Sequence, residues 1–128
     1  MTEPHWLPKE AVLAIHSALL SRHGGIDGVR EPELLESALG QPQQLFHYEK
    51  ANLFRLAASY AHGIVKNHTF VDGNKRTAFM AAYVFLRMNS HSLQAPEVEA
   101  VTQTLGLAAS ALTQEDYATW LEKSCVPK

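Results

Sequence analysis

The sequence predicts an all-α fold of about six helices around one buried central helix. Three observations predict it. Apolar residues recur at helical spacing in six segments. Clusters of glycine and proline separate the first of these segments from one another. The segment over residues 74–89 carries Ala78, Phe79, Ala81, Ala82, Val84, Phe85 and Leu86, which makes it apolar on most sides, the pattern of a helix enclosed by others.

The chain has 128 residues, about right for one domain spanning 1–128. A chain of that size buries roughly two thirds of its unfolded surface. Its formal net charge of −2 gives no sign of a general nucleic-acid or membrane binder. A single cysteine, Cys125, excludes an intrachain disulfide and suits a reducing compartment. No signal-peptide core and no apolar run of about 18 residues is present, so a cytoplasmic location is the expectation.

The elements follow in order. Residues 1–7 form a short lead-in in which His5 and Trp6 have no visible partners beyond surface packing. Pro8 suits a first helical turn, and Val12, Ile15, Leu19 and Leu20 mark an amphipathic helix over 9–22. His16 and His23 read as structural. Gly24, Gly25 and Gly28 end that helix in a loop. Glu31, Pro32 and Glu33 open the second helix, whose apolar face is Leu34, Leu35, Ala38 and Leu39. Gly40 and Pro42 are expected to stop it. Residues 41–50 are neither clearly helical nor clearly extended. Asn52 can cap a strong helix over 52–67, striped by Leu53, Leu56, Ala57, Tyr60, Ala61 and Ile64. After the 74–89 helix, Val98, Val101, Leu105 and Ala108 mark a weaker one over 96–110. Thr113 and Asp116 are spaced as a capping box for a last helix running to about residue 123, and the tail SCVPK is expected to fray.

Most of the chain is scaffold, and residues 68–76, HTFVDGNKR, carry the chemistry. Gly73 permits a tight bend and close approach of a ligand. A helix begins at Asn74, and a helix amino terminus offers free amides and a positive dipole end, a ready site for anions. Lys75 and Arg76 add fixed positive charge, the arginine with two parallel donors suited to phosphate. Histidine titrates near neutral pH, so His68 is a candidate base toward a hydroxyl. Asp72 is a candidate Mg²⁺ ligand, or alternatively the helix cap. Phe70 and Val71 read as apolar anchors of the loop. The set is a phosphate cradle with a base and a metal ligand, which suits phosphoryl or nucleotidyl transfer. The spacing of a Walker-type phosphate loop is absent.

The stretch HTFVDGNKRTA resembles the signature of the Fic/Doc superfamily, whose members transfer phosphate-containing groups to protein hydroxyls. Against the broad Fic pattern HPFxxGNGRxxR, the chain matches at His68, Phe70, Gly73, Asn74 and Arg76. It departs at Thr69, Lys75 and Phe79, where that pattern has Pro, Gly and Arg. The narrower death-on-curing (Doc) pattern, HxFx(D/N)(A/G)NKR, is matched completely. SRHGGIDGVREPELLESALGQP is similar to the glycine-rich turn and second helix of Doc proteins, so the resemblance covers roughly residues 8–90.

The resemblance implies a toxin of the Doc type that moves the terminal phosphate of Mg·ATP to a Ser or Thr of a protein. It points to a translation factor such as elongation factor Tu as the target. It assigns His68 as base, Asp72 as Mg²⁺ ligand, and Gly73, Asn74, Lys75 and Arg76 as the phosphate site. Lys66 is a further candidate phosphate contact. In the adenylyltransferases, the second glycine gives the nucleotide room; Lys75 fills that space, and Phe79 removes a phosphate contact. The alternatives are AMP transfer, transfer of another phosphate-containing group such as phosphocholine, and an inactive binding module. The fold relatives also imply a short β-hairpin flap that docks the target, placed here at residues 41–48. The self-inhibiting motif (S/T)xxxE(G/N) is absent, which implies a separate antitoxin protein covering the site.

Overall fold

The computed structural model describes residues 2–127. Six helices are present among them: α1 (Lys9–His23), α2 (Pro32–Glu49), α3 (Leu53–Lys66), α4 (Asn74–Met88), α5 (Glu97–Ala108) and α6 (Gln114–Ser124). Two short strands, β1 (His91–Leu93) and β2 (Cys125–Pro127), pair antiparallel, with Ser92 opposite Val126. The all-α class holds, with one small sheet.

The most enclosed helix is α3 rather than α4. It packs against α2, α4, α5 and α6, and its buried positions run almost continuously from Leu56 to Val65. Small residues explain the enclosure. Ala57, Ala58, Ala61 and Gly63 bring neighbouring backbones close, and a Cβ on Gly63 would stand 3.0 Å from the Cα of Ala38 in α2. Asn52 caps α3, its Oδ1 accepting from Arg55 N at 2.9 Å. α4 is buried along one face only, through Thr77, Ala78, Ala81, Ala82, Phe85 and Leu86.

Residues 41–48 are not a flap. They continue α2, with Gly40 and Pro42 inside the helix. A proline in a helix interior costs about 3 kcal/mol and a glycine about 1. Burial outweighs both. Leu35, Ala38, Leu39, Pro42 and Phe46 form one unbroken buried stripe on α2, and Phe46 meets Trp6 edge-on with ring centroids 5.8 Å apart. The stripe persists through the proline because its spacing stays helical.

The lead-in is tied down more firmly than its sequence suggests. Trp6 also stacks on Phe85 of α4. Asn89 exchanges two hydrogen bonds with the backbone of His5, and Leu7 N donates to the hydroxyl of the buried Tyr60. At the other end, the tail is ordered as β2 through Pro127. On α5 the apolar stripe read from the sequence faces outward: Val98, Val101 and Leu105 are exposed, while Ala100, Thr104 and Leu107 pack inward. Thr104 exchanges a buried hydrogen bond with Tyr117, which makes the polar residue the better inward one. The Thr113–Asp116 capping box forms as expected.

Two measurements test this packing. Gly63→Ala inserts a methyl against the backbone of α2 and should destabilise the protein by about 1–3 kcal/mol in urea unfolding, despite the better helix propensity of alanine. His62 has a pKa held below the usual histidine range, first by burial and then by Lys66, with Glu115 opposing. The unfolded chain therefore takes up this proton at a higher pH than the fold does, so stability falls as pH drops below about 6.5. His62→Gln should shrink the loss of Tm between pH 7 and 5.5; an equal loss in both proteins would exclude the histidine as its source.

Candidate active site

The loop from α3 to α4 is built by three local devices. The first is the α3 carboxyl end, where His68 adopts a left-handed backbone conformation, φ +46°. Non-glycine residues enter that region at a cost of roughly 1 kcal/mol. Arg30, from the loop between α1 and α2, holds the turn. Its Nη1 donates to the carbonyls of His68 at 3.1 Å and Asn67 at 3.4 Å.

The second device is an isolated antiparallel bridge between Val29 and Phe70. Arg30 N donates to Thr69 O at 3.0 Å, and Val71 N donates to Gly28 O at 2.9 Å. This pairing seats the signature loop against the glycine-rich loop. The third is Asn74, whose side chain closes on Phe70 in both senses: Oδ1 accepts from Phe70 N at 2.8 Å, and Nδ2 donates to Phe70 O at 2.9 Å. Asn74 therefore shapes the loop with its side chain and leaves only its amide for a ligand.

The side chains are disposed as follows. His68, Asp72, Lys75 and Arg76 are exposed, and Gly73 and Asn74 are half-buried. The imidazole of His68 is thus not sunk in the core. Among the described residues, neither Lys75 nor Arg76 has an ion-pair partner, and the amides of Asn74, Lys75 and Arg76 donate to no protein acceptor. Gly73 is the residue before the helix, in the left-handed region at φ +78°, and no side chain caps α4. Asp72 is therefore not the cap. Its Oδ1 accepts from Gly73 N at 2.8 Å and its Oδ2 from Ile26 N at 3.3 Å. No cluster of three or more His, Cys, Asp or Glu that could hold a metal occurs among the described residues.

Two expectations change, for Val71 and Lys66, and that for Phe79 does not. Phe70 is fully buried and anchors the loop, but Val71 is exposed and does not. Lys66 is turned to α5, where its ammonium bonds the Ala108 carbonyl and the Ser110 hydroxyl, so a phosphate contact would require releasing both. Phe79 packs near Trp120 and Tyr83, occupying the signature's last position with an aromatic contact.

Reading the sequence missed Arg30, Gly25 and the reach of His16. Gly25 lies against Asp72: a Cβ there would stand 2.9 Å from Asp72 Oδ2, at a φ of +131°. His16 is buried under the loop. Its signal was present, since it falls four residues after Val12 on the inward face of α1.

Residues 6–86 match the Fic/DOC family. The chain belongs to the Fic/Doc family. Within it, the chain is a member of the Doc branch. It is 34% identical over 121 residues to the protein kinase Doc of Escherichia phage P1, covering 93% of this chain and 94% of that one. It is 39% identical over 97 residues to the toxin Doc of Mycolicibacterium smegmatis, covering 74% of this chain and 71% of that one. The match spans α1 through most of α4, the part of this Doc-type chain that builds the loop.

The contact between the two loops predicts an asymmetry between neighbouring glycines. Gly25→Ala adds a clash with Asp72 and Leu20 to its backbone strain, whereas a Cβ on Gly24 meets nothing within 4 Å. Gly25→Ala should lose at least about 1 kcal/mol more than Gly24→Ala in parallel urea unfolding.

Proposed function

We propose that this Doc-type protein transfers the terminal phosphate of ATP to a Ser or Thr hydroxyl of a protein, and acts as the toxin of a toxin–antitoxin pair. The observation that carries the reading is an exposed His68 in the loop that leads to the open amides at the start of α4, with Lys75 and Arg76 unpaired among the described residues. The names of the two Doc relatives, a protein kinase and a toxin, support it.

The residues present suit Mg·ATP. The amides of Asn74 to Arg76 supply donors for phosphate oxygens at the positive end of α4. Lys75 and Arg76 offset the charge that develops on the transferred group. A single carboxylate, Asp72, is enough for Mg²⁺, which commonly takes one or two carboxylates and completes its shell with phosphate oxygens and water. When bound, the ion would neutralise charge on the phosphate oxygens. His68 accepts the proton of the acceptor hydroxyl as its oxygen bonds to phosphorus, and the bond from phosphorus to the departing ADP breaks. Lys66 has no part in this scheme.

With no flap at residues 41–48, the extended segment beside the site is residues 28–30. The bridge to residues 69–71 uses one edge of it. The N–H and C=O of Val29 have no partner among the described residues, and Val29 and Ile26 expose apolar side chains next to them. An acceptor peptide pairing with this edge as a strand would bring its hydroxyl toward His68. A translation factor is the target class implied by kinship, and an antitoxin segment would act by covering the same site.

AMP transfer is the second reading. Phe79 weighs against it, since an aromatic packed near Trp120 offers no phosphate contact. Mass spectrometry of a translation factor such as elongation factor Tu, incubated with the protein and Mg·ATP, separates the two. Addition of about 80 mass units marks phosphate and about 329 marks AMP. His68→Ala should abolish the modification and leave the thermal melt unchanged; persistence of the modification would remove His68 as base. Expression alone should arrest growth.

A further inference from the structure

We propose that His16 is a positioning residue that fixes the Asp72–Gly73 peptide plane, and through it the Asp72 carboxylate; its bearing on catalysis rests on the phosphotransfer reading above. His16 is 3% exposed and lies on the inward face of α1. Its ring stacks on Phe70, with centroids 3.8 Å apart and planes 10° from parallel. Its Nε2 is 2.8 Å from the carbonyl oxygen of Asp72. A carbonyl oxygen only accepts, so Nε2 carries the hydrogen.

The peptide between Asp72 and Gly73 is where this bond matters. The neighbouring backbone is held elsewhere: Phe70 by Asn74, and Val71 by Gly28. In a trans peptide the C=O and N–H point in opposite directions. The Asp72 carbonyl points inward to His16, so the Gly73 N–H points away from it. There it donates to Asp72 Oδ1 at 2.8 Å. One rigid plane thus joins a buried imidazole to the carboxylate at the site.

The local backbone does not choose this orientation. Flipping the plane moves ψ of residue 72 and φ of residue 73 in opposite senses, and glycine accepts φ of either sign. The flip would carry the N–H inward, release the carboxylate and strand the carbonyl outside. His16 opposes it with a donor that cannot follow, since its ring is buried and stacked on Phe70. A Cβ on Gly73 would stand only 3.6 Å from the ring, so the contact is direct. On the outer side of the ring, Nδ1 lies 3.9 Å from the exposed Asp27 carboxylate, too far for a hydrogen bond, so the Asp72 carbonyl is the polar partner of the ring.

Two variants of similar size separate the donor from the packing. His16→Gln keeps an N–H that reaches the carbonyl and loses the stack; His16→Leu loses both. The first readout is the Gly73 amide in the ¹⁵N–¹H spectrum of the full-length protein without nucleotide. Its proton, held by a carboxylate, should lose its downfield shift in His16→Leu and keep it in His16→Gln. The second is phosphate transfer. His16→Leu should lower kcat by about tenfold or more with KM for the acceptor protein little changed, and His16→Gln should stay within about threefold of the parent. An unmoved Gly73 amide in His16→Leu, or equal loss in both variants, overturns the proposal. If His16→Leu does not fold, the Gly73 amide of His16→Gln decides: retention supports the role, displacement ends it. If the parent transfers no phosphate, the kinase reading fails, while the Gly73 amide still judges His16.

Discussion

Two backbone hydrogen bonds, Arg30 N to Thr69 O and Val71 N to Gly28 O, join the loop after α1 to the loop before α4. Side-chain bonds from Arg30 to the His68 carbonyl and from His16 to the Asp72 carbonyl reinforce the same junction. With them the signature loop is pressed onto α1 and the loop that follows it, where Phe70 finds His16 and the Asp72 carboxylate finds Ile26 N. Each of these contacts needs the backbones to approach closely, and Gly25 and Gly28 line that approach. The glycines of the first loop serve the second loop as much as their own turn.

The helices beneath set what the loop can present. Close packing of α2 on α3, through Ala38 and Gly63, leaves little freedom to the α3 end. α4 starts immediately after Gly73, and its inward alanines hold it to α3 along its length. The amides of its first turn stay open while its remaining turns are anchored. Rigid support behind an open terminus is what a site for charged oxygens requires, because the donors then need no reorganisation as charge develops.

Local patterns in the sequence were good guides where one residue acts on its near neighbours. The Asn52 cap and the Thr113–Asp116 box formed as read, since each closes within one helical turn. Phe70 was correctly an anchor; Val71, its neighbour, was not, because the bridge to Val29 turns alternate side chains to opposite sides. Pro42 misled. A proline ordinarily ends a helix, and here the buried stripe from Leu35 to Phe46, with Phe46 against Trp6, overrides it. α5 misled in a different way, since its more apolar stripe lies outside and the inward face is completed by the Thr104–Tyr117 hydrogen bond.

By itself the sequence determined the helical class, the family and the bend at residues 68–76 that the proposed function uses, because a bend feeding a helix amino terminus is a local feature written in consecutive residues. Only the tertiary structure decided which distant groups support that bend. Arg30 at the His68 carbonyl, Ile26 at the Asp72 carboxylate and His16 at the Asp72 carbonyl are separated from their partners by nearly forty residues or more, and no periodicity records such pairings. They arise because the packing of α1 and α2 on the central pair carries the glycine-rich loop over the start of α4, where close backbones find their hydrogen-bond partners.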